Sequence, residues 1–220
     1  MMSNSVEGVL SEEQLDFLAE MMNVGIGNAA VALEQLLQCQ VEVEIPKVSI
    51  FLASQISAFF DNPSLPVACV TMGMVGDVVG DLFFISPAEE RDQLIHLAEE
   101  AAPGSKEAKR EFAAVKEWNA SVLAEVANIT AGAYLLAIYE FSRLNLYHTV
   151  PTLNIDMIQA ILDESLARRI AENPVIILIQ NDFLLSRKHL IGFFLLLIPS
   201  MESTQKLAGA IEKARQEMFN

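Results

Sequence analysis

The stretch "LAEMMNVGIG", residues 18–27, lies in a segment with helical periodicity, yet it contains an acid, an amide and two glycines. Apolar residues recur at spacings of three and four, which predicts a long helix over residues 12–38, begun by a capping-box signal at Ser11 and Gln14. A glycine inside a helix costs roughly 1 kcal/mol relative to alanine. The composition of this stretch therefore needs a reason, and the same pattern returns as "LAEVANITAG" at residues 123–132.

A shift of 105 positions places the second copy on the first. Within residues 16–33, the residues that are identical under this shift are Leu18 and Leu123, Ala19 and Ala124, Glu20 and Glu125, Asn23 and Asn128, Gly27 and Gly132, and Ala32 and Ala137. The same shift carries Pro46 onto Pro151, and it grows to 112 between "GDLFFISP" and "GFFLLLIP", as insertions in loops would produce. We therefore expect one domain over residues 1–220 with two internal repeats, about 1–103 and 104–220, divided at "APGSKE".

Each half follows the same order of secondary structure. In the first half we expect the helix 12–38, strands in "VEVEIP" and "KVSIF", a short helix in "SQISAFF", a hairpin that turns at Gly76 and Asp77, and a helix that is capped by Ser86, with Pro87 in its first turn, and runs to about residue 101. In the second half we expect a helix over 107–143, strands near 147–155, a helix near 157–171, a hairpin of "PVIILIQNDFLL" and "HLIGFFLLLIP", and a final helix after Ser200. The nearly continuous apolar character of the second hairpin predicts a sheet covered on both faces. The predicted fold class is α/β, with two pseudo-symmetric halves and helices packed on a β-sheet.

The composition excludes several classes of function. The formal net charge of −15 opposes binding to a phosphate backbone, and no basic stripe offsets it, so we expect no nucleic-acid partner. The N-terminus lacks the pattern of a secretion signal, and the most apolar tract, "LIGFFLLLIP", is about half the length that spans a bilayer. We expect a cytoplasmic protein without a membrane span. Cys39 and Cys69 lack metal-ligand spacing and are predicted to be small buried hydrophobic residues.

The repeated polar residues share one face of each predicted helix, because residues three and four apart are neighbours on a helix surface. The two columns are Asp16, Glu20, Asn23 and Gly27 in the first helix, and Ser121, Glu125, Asn128 and Gly132 in the second. The apolar positions fall largely off these columns, so the columns are expected to face solvent or a partner. On this interpretation the glycine leaves room for another molecule to approach the Glu and Asn. The alternative is that the glycines allow close packing of a helix or strand and that the glutamates are solvated charges; the second copy favours the functional interpretation.

A carboxylate and a carboxamide without a nearby nucleophile offer limited chemistry. An amide is not a base, but it can orient a water molecule by donating and accepting hydrogen bonds, and a carboxylate can pair with a lysine. The pair is too sparse for a complete active site. It suits a protein that completes a site whose metal ion and phosphoryl group belong to another protein.

The two helices "EMMNVGIGNAAVAL" and "SVLAEVANITAGAYLLAI", each followed by a strand that ends near a proline, resemble the signature helices of the CheC family of chemotaxis phosphatases, which is related to CheX and FliY. The resemblance covers both halves. It implies a fold with the two signature helices side by side on one side of a β-sheet. It also implies hydrolysis of the phospho-aspartate of a CheY-like response regulator. The family pattern of an acidic or serine residue, Glu four later and Asn three later is met in both halves.

The resemblance assigns roles to these residues. Asn23 or Asn128 would position the attacking water, and Glu20 or Glu125 would contact the regulator's lysine. Docking would involve the remaining members of the columns, Asp16, Gly27, Ser121 and Gly132. The Mg²⁺ ion would belong to the regulator, so no intrinsic cofactor or metal site is expected, in keeping with the scattered positions of His96, His148 and His189.

Two further implications concern partners. Some CheC proteins bind the deamidase CheD, for which "DMIQAILDESLARRIAENP" is the candidate segment, with sheet covering as the alternative role. The second function, from another class, is a non-catalytic adaptor that binds a response regulator or a chemotaxis signalling complex through the same helices.

Overall fold

The structure, a computed structural model, describes residues 10–102, 112–167, 175–186 and 189–219. The first half contains α1 (Glu12–Leu37), β1 (Val41–Val43), β2 (Lys47–Leu52), α2 (Ile56–Phe59), β3 (Pro66–Gly76), β4 (Gly80–Pro87) and α3 (Ala88–Ala101). The second half contains α4 (Phe112–Ser142), β5 (Leu146–His148), β6 (Thr152–Met157), α5 (Ile158–Ala167), β7 (Val175–Leu185), β8 (His189–Pro199) and α6 (Met201–Phe219). The predicted order of elements is confirmed in both halves. The predicted boundary at "APGSKE" falls almost entirely outside the described residues, so the division into two repeats stays a prediction.

The first long helix begins and ends where its sequence indicates. The Ser11 hydroxyl oxygen accepts a hydrogen bond from the Gln14 backbone N–H at 3.2 Å, and the Gln14 side chain accepts one from the Ser11 N–H at 2.8 Å. Two of the otherwise unpaired backbone donors of the first turn region are thereby satisfied. The helix ends where Gln38 adopts a left-handed conformation, with φ 50°.

Of two local predictions for the first hairpin and the helix that follows it, one is confirmed and one is wrong. The turn forms as expected, because Gly76 has φ 109° and a Cβ atom at this position would collide with the carbonyl oxygen of Asn145. The predicted cap of α3 is wrong: Pro87 occupies the N-cap position and no side chain caps this helix. The reason is strand pairing, since β4 stays paired with β3 as far as Val67 and Pro87, which keeps Ser86 in the strand.

The described strands form one sheet in which every pairing is antiparallel. The order along the sheet is β1-β7-β8-β4-β3-β5, with β2 also paired to β7 and β6 also paired to β3. The order is symmetric about the pair β8–β4. Moving outward from this pair, β8, β7 and β1 correspond to β4, β3 and β5, which are their counterparts in the two halves. The halves exchange strands: β1 and β2 pair with β7, whereas β5 and β6 pair with β3. Each half therefore supplies the two short strands that pair with the outer edge of the other half's hairpin.

Helices cover both faces of the sheet. The larger core lies between the sheet and α1, α3, α4 and α6, and the smaller core lies on the opposite face under α2 and α5. Neighbouring residues of β3 alternate between them, with Met72 in the larger core and Cys69 in the smaller one. The predicted α/β class and the covered sheet are confirmed. In the described part of the CheD candidate segment, Ile158, Ile161 and Leu162 are buried against the sheet, which is the sheet-covering role. Residues 168–174 of the segment lie outside the described residues.

The two long helices pack side by side and run antiparallel. Phe17, near the start of α1, contacts Phe141, near the end of α4, edge to face with a centroid separation of 5.9 Å. Midway along α1, Gly25 lies against Tyr134 of α4, where an added Cβ would be 2.8 Å from the Cδ1 atom of the tyrosine. The buried Tyr134 hydroxyl donates a hydrogen bond to the Oδ1 atom of Asn181 on β7. The helix pair is thereby fixed to the sheet beneath it.

One segment of α4, Lys116–Ser142, is long and apolar enough by composition to span a membrane. Its most apolar window is 56% buried within the protein, and the helix packs on α1 and the sheet. Buried helices of globular proteins have the same composition, so this single segment is weak evidence for a membrane span.

Candidate functional site

The structure places the eight predicted site residues on the outer faces of α1 and α4. Asp16 and Glu20 are exposed, and Asn23 and Gly27 are half-buried. In the second half Ser121 and Glu125 are exposed, and Asn128 and Gly132 are half-buried. Each set forms one continuous column along its own helix, as the spacing of three and four residues predicts. We call them the first and second site columns.

The two columns are equivalent in environment as well as in sequence. Burial along residues 16–27 matches burial along residues 121–132 at eleven of the twelve positions. The exception is Val24, which is 40% exposed, whereas its counterpart Ile129 is half-buried. The repeated letters of the sequence therefore correspond to a repeated arrangement of exposed and buried side chains.

The catalytic candidates have polar groups that remain available to another molecule. Within the described part of the chain, the side chains of Asn23, Asn128, Glu20 and Glu125 form no hydrogen bond or ion pair. The first members of the columns differ, because the Ser121 hydroxyl donates to the carbonyl oxygen of Glu117 at 2.9 Å. A half-buried carboxamide with unused donors and acceptors can orient a water molecule that a partner brings to it.

The glycines of the columns have different surroundings. A Cβ atom at Gly27 would meet nothing within 4 Å, whereas one at Gly132 would lie 3.7 Å from the Nε2 atom of His148 on β5. Close packing therefore does not explain Gly27, and access for another molecule remains its best explanation. The glycine that permits close helix packing is Gly25, which the sequence reasoning missed. Its position on the buried face, three residues after Met22, was the available signal.

The first column is flanked by charged groups of α6. The Arg215 guanidinium pairs with Glu13 at 2.8 Å and with Glu212 at 2.9 Å. Hydrogen bonds from Arg215 hold the pKa of the Glu212 carboxyl below its ordinary value. A cavity of about 430 Å³ lies between these groups and the first column, where Asp16 and Glu20 form part of its wall. Charged side chains therefore stand at the entrance to the first site.

The second column leads into a groove of different character. We call it the α4–β5 groove; its volume is about 460 Å³, and it is lined by Gly132, Leu135, Leu136, Tyr139, Asn145, Leu146, Tyr147 and His148. Its rim is exposed and apolar, since 47% of Leu136, 39% of Tyr139 and 62% of Tyr147 are accessible to solvent. Sequence reasoning did not identify this groove.

Other candidate ligands and nucleophiles lie apart from the columns. Burial raises the pKa of the Cys69 thiol to about 12, as predicted for a small buried hydrophobic residue, and Cys39 is half-buried. His96 lies on α3 beside Glu100 at 3.7 Å. No three His, Cys, Asp or Glu side chains cluster as a metal site within the residues that the structure describes.

Comparison with known proteins identifies a relative across almost the full length. The chain is 30% identical over 209 residues to the Bacillus subtilis (strain 168) protein named CheY-P phosphatase CheC. The alignment covers 94% of this chain and 98% of the relative. No family model matches the chain.

Solved structures with the same fold are more distant in sequence. Thermotoga maritima FliY superposes with a TM-score of 0.71 at 16% identity, covering 94% of this chain and all of that one. FliM of Helicobacter pylori, from a complex with SpeE, gives 0.64 at 12% identity, with coverage of 92% and 98%. CheX of Desulfovibrio desulfuricans gives 0.51 at 11% identity, with coverage of 82% and 99%. These likenesses show the fold. The identity of 30% to CheC over almost the full length of both proteins shows that the chain belongs to the CheC family.

Proposed function

We propose that the protein is a phosphatase that hydrolyses the phospho-aspartate of a CheY-like response regulator. Each site column would supply one site, with Glu20 and Asn23 in the first and Glu125 and Asn128 in the second. The observation that carries the proposal is the duplicated column itself, in which an exposed carboxylate and a half-buried carboxamide recur with their polar groups unengaged. The activity named for the Bacillus subtilis relative supports it.

The chemistry required of these residues is modest, because an acyl phosphate is already an activated phosphoryl group. The Asn23 or Asn128 carboxamide accepts a hydrogen bond from a water molecule and donates one to the phosphoryl group, which holds the water in line with the bond that breaks. The water oxygen forms a bond to phosphorus as the bond from phosphorus to the aspartyl oxygen breaks. The electron pair stays on the regulator's carboxylate, and the proton of the water leaves on inorganic phosphate.

The glutamates have a positioning role in this proposal. Glu20 or Glu125 pairs with a lysine of the regulator beside its phospho-aspartate, which fixes the distance between the carboxamide and the phosphoryl group. Gly27 and Gly132 let the regulator approach the column, and Asp16 and Ser121 contact it one turn earlier. A magnesium ion held by the regulator would neutralise charge on the phosphoryl oxygens, so this chain would not need a metal ligand of its own. In this proposal the protein acts in the cytoplasm.

The alternative function is an adaptor that binds the regulator through the same columns without accelerating hydrolysis. Both functions require the exposed faces of α1 and α4, so binding alone does not separate them. CheD remains a further proposed partner, with "DMIQAILDESLARRIAENP" as the candidate segment. Turnover separates the phosphatase from the adaptor.

The decisive experiment measures loss of the phosphoryl group from phosphorylated receiver domains with and without the protein. The wild type should accelerate the loss, and the combined change Asn23→Ala with Asn128→Ala should return the rate to that of the receiver alone. Asn28→Ala is the matched control, because Asn28 is exposed on the same helix but has an alanine, Ala133, as its counterpart. It should retain full activity.

Two outcomes count against the phosphatase. A wild type that binds receivers from its own genome yet leaves each of their decay rates unchanged is an adaptor. If the double variant keeps its activity, Asn23 and Asn128 are not the residues that position the attacking water. Thermal unfolding of the double variant should match the wild type, because both asparagine side chains lack partners in the fold.

A further inference from the structure

The surface beyond each site column differs between the halves. In the first half, the Glu34 carboxylate accepts a hydrogen bond from the backbone N–H of Val41 at 3.0 Å, which ties α1 to β1. Nearby, the Glu42 carboxylate accepts a hydrogen bond from the Gln40 amide at 3.2 Å. The region after the first column therefore carries two carboxylates held in place by local hydrogen bonds.

The corresponding positions of the second half are aromatic. The shift of 105 places Tyr139 on Glu34 and Tyr147 on Glu42. Neither tyrosine spans from helix to strand as Glu34 does, and the α4–β5 groove opens between them. No Asp, Glu, Lys or Arg lines this groove, although the protein carries a net charge of −15. The two halves thus share the site columns but not the surface next to them.

The groove continues the second column along α4. Gly132 is the last residue of the column and also part of the groove wall, and Leu136 and Tyr139 follow it at helical spacing. Tyr139 is eleven residues beyond Asn128, which is about 16 Å along a helix. A protein that buries about 800 Å² of one partner covers a patch roughly 30 Å across. A partner centred on Asn128 therefore extends about 15 Å along α4, over Gly132 and Leu136 and as far as the edge of the groove at Tyr139.

We infer that the α4–β5 groove is the docking surface for apolar side chains of the response regulator bound at the second site, and that the second site binds the regulator more tightly than the first. The inference rests on the proposed function. Its argument is continuity, since a regulator centred on Asn128 extends into the groove, and covering the exposed apolar side chains there lowers the free energy of the complex. A regulator on the first column meets Glu34 and Glu42 instead.

The test isolates each site by disabling the other. In an Asn23→Ala background only the second site can act, and the pair Tyr139→Ser with Tyr147→Ser removes the apolar rim without adding charge. KM for the phosphorylated receiver should rise about tenfold while kcat stays within about twofold, because the lost contacts lie away from the reacting atoms. The same pair in an Asn128→Ala background reports on the first site and should leave KM unchanged.

Two further variants define the origin of the effect. Tyr139→Phe with Tyr147→Phe should restore the wild-type KM, because it keeps the apolar rings. Tyr139→Glu with Tyr147→Glu installs the side chains of the first half and should make the second site resemble the first in KM. Both Tyr139 and Tyr147 are exposed, so the midpoint temperature of thermal unfolding should change little in these variants.

The outcomes distinguish the groove from the phosphatase proposal. An unchanged KM for the serine pair in an active enzyme overturns the groove inference and leaves the proposed function standing. If the wild type has no activity, the proposed function fails. The groove inference is then tested by measuring the Kd for a receiver that carries beryllofluoride, an unreactive phosphoryl analogue. A Kd that the serine pair leaves unchanged overturns it. If the wild type sediments as a dimer and the serine pair as a monomer, the occupant is a second copy and the inference is overturned.

Discussion

The helices α1 and α4 agree along their site columns and differ where they touch each other. Under the shift of 105, Gly25 corresponds to Thr130 and Ala29 corresponds to Tyr134. Tyr134 fills the space that Gly25 leaves, and the buried Thr130 hydroxyl donates to the carbonyl oxygen of Val126 at 2.8 Å. Buried residues need only fit one another, so a large residue on one helix is matched by a small one on the other. The site columns have no such partner within the described protein, which favours an external one.

The largest effect is expected from filling the contact between the helices. Gly25→Ala should lower the free energy of unfolding by about 2–3 kcal/mol, because its Cβ would lie 2.8 Å from the Cδ1 atom of Tyr134 and 3.2 Å from the backbone oxygen of Ala133. Urea denaturation followed by circular dichroism measures this difference.

Gly27→Ala is the matched control for Gly25→Ala. It adds the same methyl group two residues along the helix, where a Cβ meets nothing within 4 Å, and it should leave stability unchanged or raise it by up to about 1 kcal/mol. Equal effects of the two substitutions would show that helix propensity alone governs both positions, and that the helices do not make this close contact in solution.

A smaller loss of stability is expected at the other side of the same contact. Tyr134→Phe removes the hydroxyl that donates to Asn181 and leaves the buried Oδ1 atom of the asparagine without this donor. The expected cost is about 1–2 kcal/mol. In the combined change Tyr134→Phe with Asn181→Leu, both polar partners are replaced by apolar groups, and part of the stability should return. A double variant no more stable than Tyr134→Phe alone would contradict this account.

The smallest effect concerns a contact between the halves at the turn between β3 and β4. The Asp77 carboxylate accepts hydrogen bonds from the Lys206 ammonium group at 2.7 Å and from the Asn145 backbone N–H at 2.8 Å. These bonds, the one from Lys206 foremost, lower the pKa of Asp77 to about 2. The pKa in the folded state is below that in the unfolded state, so the carboxylate stabilises the fold at neutral pH. This stabilisation is lost as the pH falls from about 4 to about 2.

Asp77→Asn tests this pH dependence. The wild type should be slightly more stable than the variant at pH 7, and the difference should shrink towards zero near pH 2, because exposed ion pairs contribute little and only while charged. Asp61→Asn controls for the loss of one exposed negative charge. A difference between wild type and Asp77→Asn that stays constant from pH 7 to pH 2 would rule out the carboxylate as its source.

The elements of this fold were predictable from local patterns, but their partners were not. Periodicity gave the bounds of α1, and turn residues gave the hairpin at Gly76. Alternation of apolar residues identifies a strand without indicating which strand it pairs with, so the exchange of β1 and β2 onto β7 could not be read from the sequence. Likewise, Pro87 was expected in the first turn of α3, but it is the N-cap residue because β4 stays paired with β3 up to this position.

The site was predictable in its composition and not in its surroundings. Repetition of Glu and Asn at matching positions identified the columns, because no packing pattern required them. The α4–β5 groove depends on how β5 lies beside α4, which only the tertiary structure gives. A signal nevertheless existed, since the shift of 105 sets Tyr139 on Glu34 and Tyr147 on Glu42. Comparing the halves for their differences, and not only for their identities, would have found it.

The exchange of strands between the halves also limits when the nascent chain can complete its sheet during synthesis. Val41 pairs with Leu185, about 140 residues further along, so the sheet cannot close until nearly all of the chain has left the ribosome. Until then the nascent first half holds the β3–β4 hairpin with both outer edges unpaired, because their partners β6 and β8 are not yet synthesised. Two incomplete chains could satisfy these edges on each other, since each half pairs with the other. We therefore expect the first half, expressed alone, to dimerise or aggregate, and the two halves, expressed as separate chains, to assemble into one sheet.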